Sequence, residues 1–312
     1  MANSASTREV AGDLLVKLGH EYADLVIVGG DLNKSTFANK FQAEFPDRFF
    51  DFGPAEQNMV SVAAGLAASG KIPVVSTFAV FGTARPFDQL RVGVSQSKLN
   101  VKLILTHSGL LTAEDGVSAQ SIEDIAIMSA LPSFTVIVPA DGPETEHAIK
   151  AALNMNGPVY IRLSRPATPI VHTADYNFKI GTAEVMRDGD DVTIVSYGIM
   201  VNESLKAAED LDHKGISSTV INMATVAPLD ESAILSSVSK TGLVVTAEEH
   251  LIQGGLGSMV ATLLAQKFPA PLEMVGLRGY AESGKPDQLL KKYHLTHNDI
   301  VDSVLKGISR KS

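Results

Sequence analysis

The chain has 312 residues, a net charge of −9 and no cysteine. That length exceeds one ordinary core and suits two domains, the acidic balance argues against nucleic acid as a partner, and the missing thiols exclude a disulfide framework. No apolar run is long enough to span a bilayer, and "MANSASTREVAGDLL" lacks the basic start and apolar run of a signal peptide, so a cytoplasmic protein with no membrane attachment is expected.

In chain order, short β-branched runs alternate with longer helical patterns. Strands are expected at 24–30, 48–52, 72–78, 101–107, 134–140 and 158–163, with helices near 7–19, 36–45, 56–69, 84–97, 121–131 and 143–155. The last of these, "PETEHAIKAALN", begins with proline and places acids in its first turn, a good helix start. The stretch 164–181 carries two prolines and loses the alternation. A second alternation follows, with strands at 191–198, 217–224, 242–249 and 272–279 and helices near 199–213, 228–240, 254–267 and 297–309. The fold class is therefore α/β, in two domains that are each a mostly parallel sheet flanked by helices. The bounds expected are 1–168, a linker at 169–188, and 189–312.

Ligands of open α/β sheets bind beyond the carboxyl ends of the strands. In the first domain those ends lead into "GGDLNKS", "DFGPAEQN", "STFAVFGTAR", "THSGLLTAEDG" and "RLSRPAT". Asp31, Ser35, Glu56, His107, Asp115 and Arg165 are thereby expected at one edge, together with Phe78 and Phe81. Each has an ordinary reading when taken alone. Glu56 suits the first turn of a helix, whose dipole favours an acid. The two phenylalanines suit a core, Asp115 suits a turn, and Arg8 and Arg165 suit the surface. The "GGLGS" at 254–258 is expected to be a close-packing turn, with an anion nest as the alternative. No tight metal-ligand motif, Walker loop or nucleophile elbow is present.

Seven segments in order carry a family signal: "STREVAGDLL", "GGDLNKST", "FGPAEQNMVSVAAGLA", "STFAVFGTARPFDQLR", "HSGLLTAEDGVSAQSIEDIAIMSALPSFTVIVPAD", "RLSRPATP" and "TAEEHLIQGGLGS". Together they resemble the C-terminal half of transketolase, its pyrimidine-binding domain followed by its C-terminal domain, and in particular the small subunit of split, two-chain transketolases. The resemblance implies a thiamin diphosphate enzyme that moves a two-carbon ketol unit from a ketose phosphate to an aldose phosphate in pentose phosphate metabolism. It implies that Glu56 hydrogen-bonds N1′ of the aminopyrimidine and so favours the tautomer that activates the cofactor. It implies that Phe78 and Phe81 pack around the pyrimidine and that Asp31 and Leu32 contact the cofactor. His107 and Asp115 match residues that bind sugar hydroxyls, with His107 also catalytic, and Arg8, Ser35 and Arg165 match the donor phosphate clamp.

Three departures qualify the match. A third family aromatic is Ala84 here, and a family histidine is Ala119, with Gln120 as a nearby substitute. The family's Gly-Asp-Gly motif for diphosphate and Mg²⁺ occurs nowhere in the chain; "RDGDD" at 187–191 is only a turn. The resemblance thus places the Mg²⁺ ligands on an N-terminal partner subunit, in an α2β2 assembly, with no metal ligand here. The alternatives are a subunit of 1-deoxyxylulose-5-phosphate synthase or of a 2-oxo acid dehydrogenase decarboxylase, or a catalytically silent scaffolding or regulatory subunit. His250, in "EEHLIQGG", has no role beyond assembly that the sequence can assign.

Overall fold

A computed structural model describes residues 4–173 and 175–311. Its strands are β1 (Ser4–Ala5), β2 (Leu25–Gly29), β3 (Phe49–Asp51), β4 (Ile72–Ser76), β5 (Lys102–Leu105), β6 (Thr135–Ile137), β7 (Val159–Arg162), β8 (Thr168–Pro169), β9 (Glu184–Arg187), β10 (Val192–Ser196), β11 (Ser218–Asn222), β12 (Thr225–Ala227), β13 (Val244–Leu251) and β14 (Leu272–Leu277). The α-helices are α1 (Thr7–Glu21), α2 (Ala38–Glu44), α3 (Glu56–Ala68), α4 (Ala79–Ala84), α5 (Asp124–Ser129), α6 (Gly142–Asn154), α7 (Ile199–Asp212), α8 (Glu231–Thr241), α9 (Leu256–Lys267), α10 (Pro286–Lys292) and α11 (His297–Lys311).

The first sheet runs β12-β6-β7-β5-β4-β2-β3, and every pairing within it is parallel except β12 with β6. The second runs β14-β13-β10-β11-β9, parallel apart from β9 at its edge. This is the α/β plan expected, with helices over parallel sheets. β2 reads "LVIVG" and is buried throughout, as a strand covered on both faces must be. Helix α1 starts where the Ser6 side chain accepts from the Glu9 N–H, and Ala11, Leu14, Leu15 and Leu18 form its buried stripe. Asp141 starts α6 in the same way, with its side chain accepting from the Glu144 N–H.

Two segments differ from the expectations in an informative way. The run 217–224 is expected to be one strand, but β11 stops at Asn222 and the chain crosses to the first sheet. There β12 pairs with β6, and Val138 N–H donates to the Ala224 carbonyl at 2.7 Å. Both pieces are β-branched and buried, so their hydrophobic pattern does not say which sheet each joins. Within 169–188, β9 adds an edge strand to the second sheet. One core cluster also spans both sheets, joining Val136 and Tyr160 to Val195, Tyr197, Ile221 and Leu256. Among the described residues no helix is long and apolar enough to cross a membrane.

Candidate active site

The parallel strands bring their carboxyl ends to one edge, and the loops leaving them carry the candidate residues. Glu56 is the first residue of α3 and its side chain is 3% exposed. Its carboxylate accepts from Arg85 Nη1 at 2.9 Å. The Arg85 guanidinium lies over the Phe81 ring, 4.1 Å from its centroid. Phe81 stacks on Phe78 at 5.9 Å and 14°, and Phe78 stacks on His107 at 3.7 Å and 17°. A chain of contacts, an ion pair followed by Arg85 over Phe81 and two stacked ring pairs, therefore links Glu56 to His107. A cleft of about 540 Å³, lined by Pro54, Ala55, Glu56, Gln57, Asn58 and Arg85, opens at its Glu56 end.

At the other end, Arg8 and Arg165 meet. Arg8 donates to the Ser35 carbonyl at 2.7 Å and to the Arg165 carbonyl at 3.0 Å. Arg165 donates to Glu114 at 2.6 Å, with Asp115 3.9 Å away. Burial first, then the charges of Arg8 and Arg165, push His107 down to about 3, so its imidazole is neutral at neutral pH. Thr106 Oγ1 lies 2.8 Å from His107 Nδ1, which fixes the ring against Phe78. The backbone of His107 is left-handed at φ 55°, and Thr112 Oγ1 secures it by donating to its carbonyl at 2.6 Å.

Asp31 is exposed and left-handed at φ 62°, next to half-buried Leu32. A residue the sequence reading passed over, Asp51, organises this corner. Its carboxylate accepts from the N–H groups of Asp31 and Gly53, at 3.1 and 2.8 Å, and from the Asn33 amide. That one side chain ties the Asp31 loop to the turn that delivers Glu56. The structure thus brings Arg8, Ser35, His107, Asp115 and Arg165 together at one end of the stack and Glu56, Phe78 and Phe81 along it; Asp31 and Leu32 lie on the adjacent β2 loop.

The transketolase pyrimidine-binding domain family matches residues 3–170, and the transketolase C-terminal domain family matches 181–300. The chain belongs to the transketolase family. It is similar to the putative transketolase C-terminal section of Methanocaldococcus jannaschii, at 41% identity over 97% of this chain and 96% of that protein. It is also similar to the 6-deoxy-6-sulfo-D-fructose transketolase subunit SqwH of Clostridium sp. (strain MSTE9), at 40% identity over 98% and 95%. Human transketolase is 36% identical over the whole of this chain, which spans 50% of that protein. Among solved structures, a split gene transketolase described as an inactive beta4 tetramer superposes with a TM-score of 0.90, at 44% identity over 99% of this chain and 100% of the other. The chain thus corresponds to the C-terminal section of a transketolase.

The transketolase C-terminal domain supports the edge from below. Glu249 is buried and its carboxylate accepts from the Leu111 N–H at 2.5 Å, holding the turn between His107 and Asp115. Gly109 makes this approach possible: its φ is 71°, and a Cβ there would overlap Glu249. Burial pushes both Glu248 and Glu249 up to about 7. Glu248 accepts from the N–H groups of Leu256 and Gly257, each at 2.8 Å. The "GGLGS" turn is therefore both close-packed and a nest, and its anion is the protein's own carboxylate. His250 is buried, with Nδ1 2.7 Å from the Leu251 carbonyl and Nε2 accepting from the Ala126 N–H at 3.4 Å. The substitute considered for Ala119 is occupied elsewhere: Gln120 donates to the Glu282 carbonyl at 2.9 Å.

Proposed function

We propose that the chain is the C-terminal subunit of a thiamin diphosphate-dependent transketolase, acting with an N-terminal partner subunit in an α2β2 assembly. The observation that carries this reading is the stack ending on buried Glu56, where the planar, hydrogen-bonding Arg85 guanidinium already rests on Phe81. An aminopyrimidine has the shape and donors to fit that place. When bound, thiamin diphosphate supplies the electron sink for cleaving the bond beside a ketose carbonyl. Glu56 would hold the proton shared with the ring nitrogen N1′, and its place at the α3 N-terminus suits a negative charge. Phe81 and Phe78 would stack on the ring, and Asp31 and Leu32 would contact its side. Neutral His107 can donate to or accept from a sugar hydroxyl, with Asp115 beside it, and Arg8, Ser35 and Arg165 would hold the anionic end. The diphosphate and Mg²⁺ are assigned to the partner, because no Gly-Asp-Gly occurs in this chain. The proposed domain bounds are 1–168 and 189–312.

The similarity to a 6-deoxy-6-sulfo-D-fructose transketolase subunit favours a second donor class, a ketose with a sulfonate in place of the phosphate. Both anions suit a two-arginine clamp. The test mixes the chain with an N-terminal transketolase section, thiamin diphosphate and Mg²⁺, and follows ketol transfer to ribose 5-phosphate. Xylulose 5-phosphate, 6-deoxy-6-sulfo-fructose and pyruvate serve as separate donors. The expected result is turnover by the pair with a ketose donor, none by the chain alone, and a loss of about 100-fold or more for Glu56→Ala. Pyruvate consumption would point to the decarboxylase or synthase reading. Full turnover by the Glu56→Ala pair would make the chain a silent subunit.

A further inference from the structure

Three observations about Arg85 point the same way. Its guanidinium donates to the Glu56 carboxylate at 2.9 Å. The same group lies over the Phe81 ring at the end of the aromatic stack, 4.1 Å from its centroid. It also reaches this place from the neighbour of Ala84, the position where the family carries a third aromatic. A planar ligand that takes the Glu56 oxygen held by Arg85 and the Phe81 face covered by it would occupy the volume the guanidinium fills. Guanidinium and a protonated aminopyrimidine share the relevant chemistry: a flat, delocalised cation with N–H donors in its plane.

We propose that Arg85 is a built-in occupant of the aminopyrimidine place, which a ligand ring must displace before it can reach Glu56. The inference rests on the cofactor site of the proposed function and adds a competitor to it. Two features make the exchange feasible. The Arg85 side chain is half exposed, so on leaving it returns to water at little desolvation cost. Glu56 is 3% exposed, so it is not left unpaired: one cation–carboxylate contact replaces another. Arg85 therefore shields a buried carboxylate while the chain has no ring bound, and sets a threshold for filling the site. An occupant present about nine-tenths of the time weakens apparent affinity about tenfold.

The test uses the full chain and thiamin, which carries the aminopyrimidine without the diphosphate, so binding is read without a partner or turnover. Calorimetry or ligand-observed NMR gives Kd for the wild-type chain, Arg85→Ala and Arg85→Met. Thiamin is expected to bind Arg85→Ala about tenfold more tightly than wild type. Arg85→Met, which keeps a cover over Phe81 but has no donor, should fall between them. Adding Glu56→Gln to Arg85→Ala should abolish the gain. Methylguanidinium at millimolar concentration should raise the thermal midpoint of Arg85→Ala but not of wild type, and should compete with thiamin. Equal thiamin affinity in wild type and Arg85→Ala overturns the proposal and leaves the cofactor reading standing. Tighter binding to wild type also overturns it, because Arg85 would then be holding the ring. Stabilisation of Arg85→Ala by methylguanidinium with no thiamin binding to any variant also overturns the proposal, because the place then takes a guanidinium and not the ring; the cofactor reading is decided separately by turnover of the pair.

Discussion

Glu56 and Asp124 are both buried carboxylates paired with an arginine, but their partners differ. Arg85, opposite Glu56, is 50% exposed, and Arg162, opposite Asp124, is 2% exposed. Asp124 also accepts from the Tyr160 hydroxyl at 2.5 Å, and Arg162 donates onward to the Ser121 and Glu249 carbonyls at 3.0 and 3.1 Å. One pair opens onto a cleft and has a partner that can leave. The other lies where the two domains meet, and its partner has no route to water. The same ion-pair chemistry thus gives an exchangeable contact at the strand ends and a fixed joint beneath them. The sugar end repeats the first pattern, since the Glu114 that pairs with Arg165 is itself exposed.

The sharpest way to break the comparison is to remove one member of the fixed pair. Arg162→Leu should cost about 3–5 kcal/mol in urea unfolding, because it leaves the buried Asp124 without its cation and with only the Tyr160 hydroxyl as a partner. Asp124→Leu combined with Arg162→Leu should cost less than Arg162→Leu alone. A single-variant loss below about 1 kcal/mol would mean that this buried pair is as dispensable as a surface one.

A somewhat smaller effect is expected at Glu249, whose carboxyl is raised by burial, with Arg162 opposing and Asp124 reinforcing the shift. A raised carboxyl favours the folded state below the ordinary value of 4.5, and that contribution is lost as pH rises through about 7. Glu249→Gln cannot ionise and can still accept from the Leu111 N–H. Its stability relative to wild type should therefore rise across that window and level off above it, by on the order of 3 kcal/mol. A pH-independent difference between the two proteins would show that folding leaves the Glu249 carboxyl at its ordinary value.

The smallest effect belongs to the exchangeable contact at the sugar end. Glu114→Gln frees Arg165 from an exposed pair and should tighten binding of inorganic phosphate or a sugar phosphate by about two- to threefold, with little change in stability. Unchanged affinity would mean that Glu114 does not compete for that arginine.

Much of the edge was legible in the sequence, for a topological reason. Once β2, β3, β4, β5 and β7 are read as parallel strands, whatever follows each of them must gather at one side. Glu56, Phe78, His107 and Arg165 needed nothing more. Arg85 was not legible. It falls in a stretch expected to be one helix over 84–97, but α4 ends at Ala84 and a π-helical turn covers Gln89–Ser95. A side chain at that junction takes its direction from the break, which leaves no mark in hydrophobic periodicity. Glu249 was hidden differently. "TAEEHL" reads as the end of a strand, and nothing local says that its second glutamate crosses to another domain's loop 138 positions earlier.

By itself the sequence determined most of the parallel strands and the residue types at their ends, because local periodicity and β-branching depend only on near neighbours. It also carried the family, through an ordered set of short segments. The tertiary structure alone decided which charge meets which. It put Arg85 on Glu56, Glu114 on Arg165, and the second domain's carboxylates beneath the first domain's loops. Those pairings depend on distances between segments far apart in the chain, and burial, which sets whether a partner can leave, exists only once the two domains have closed on each other.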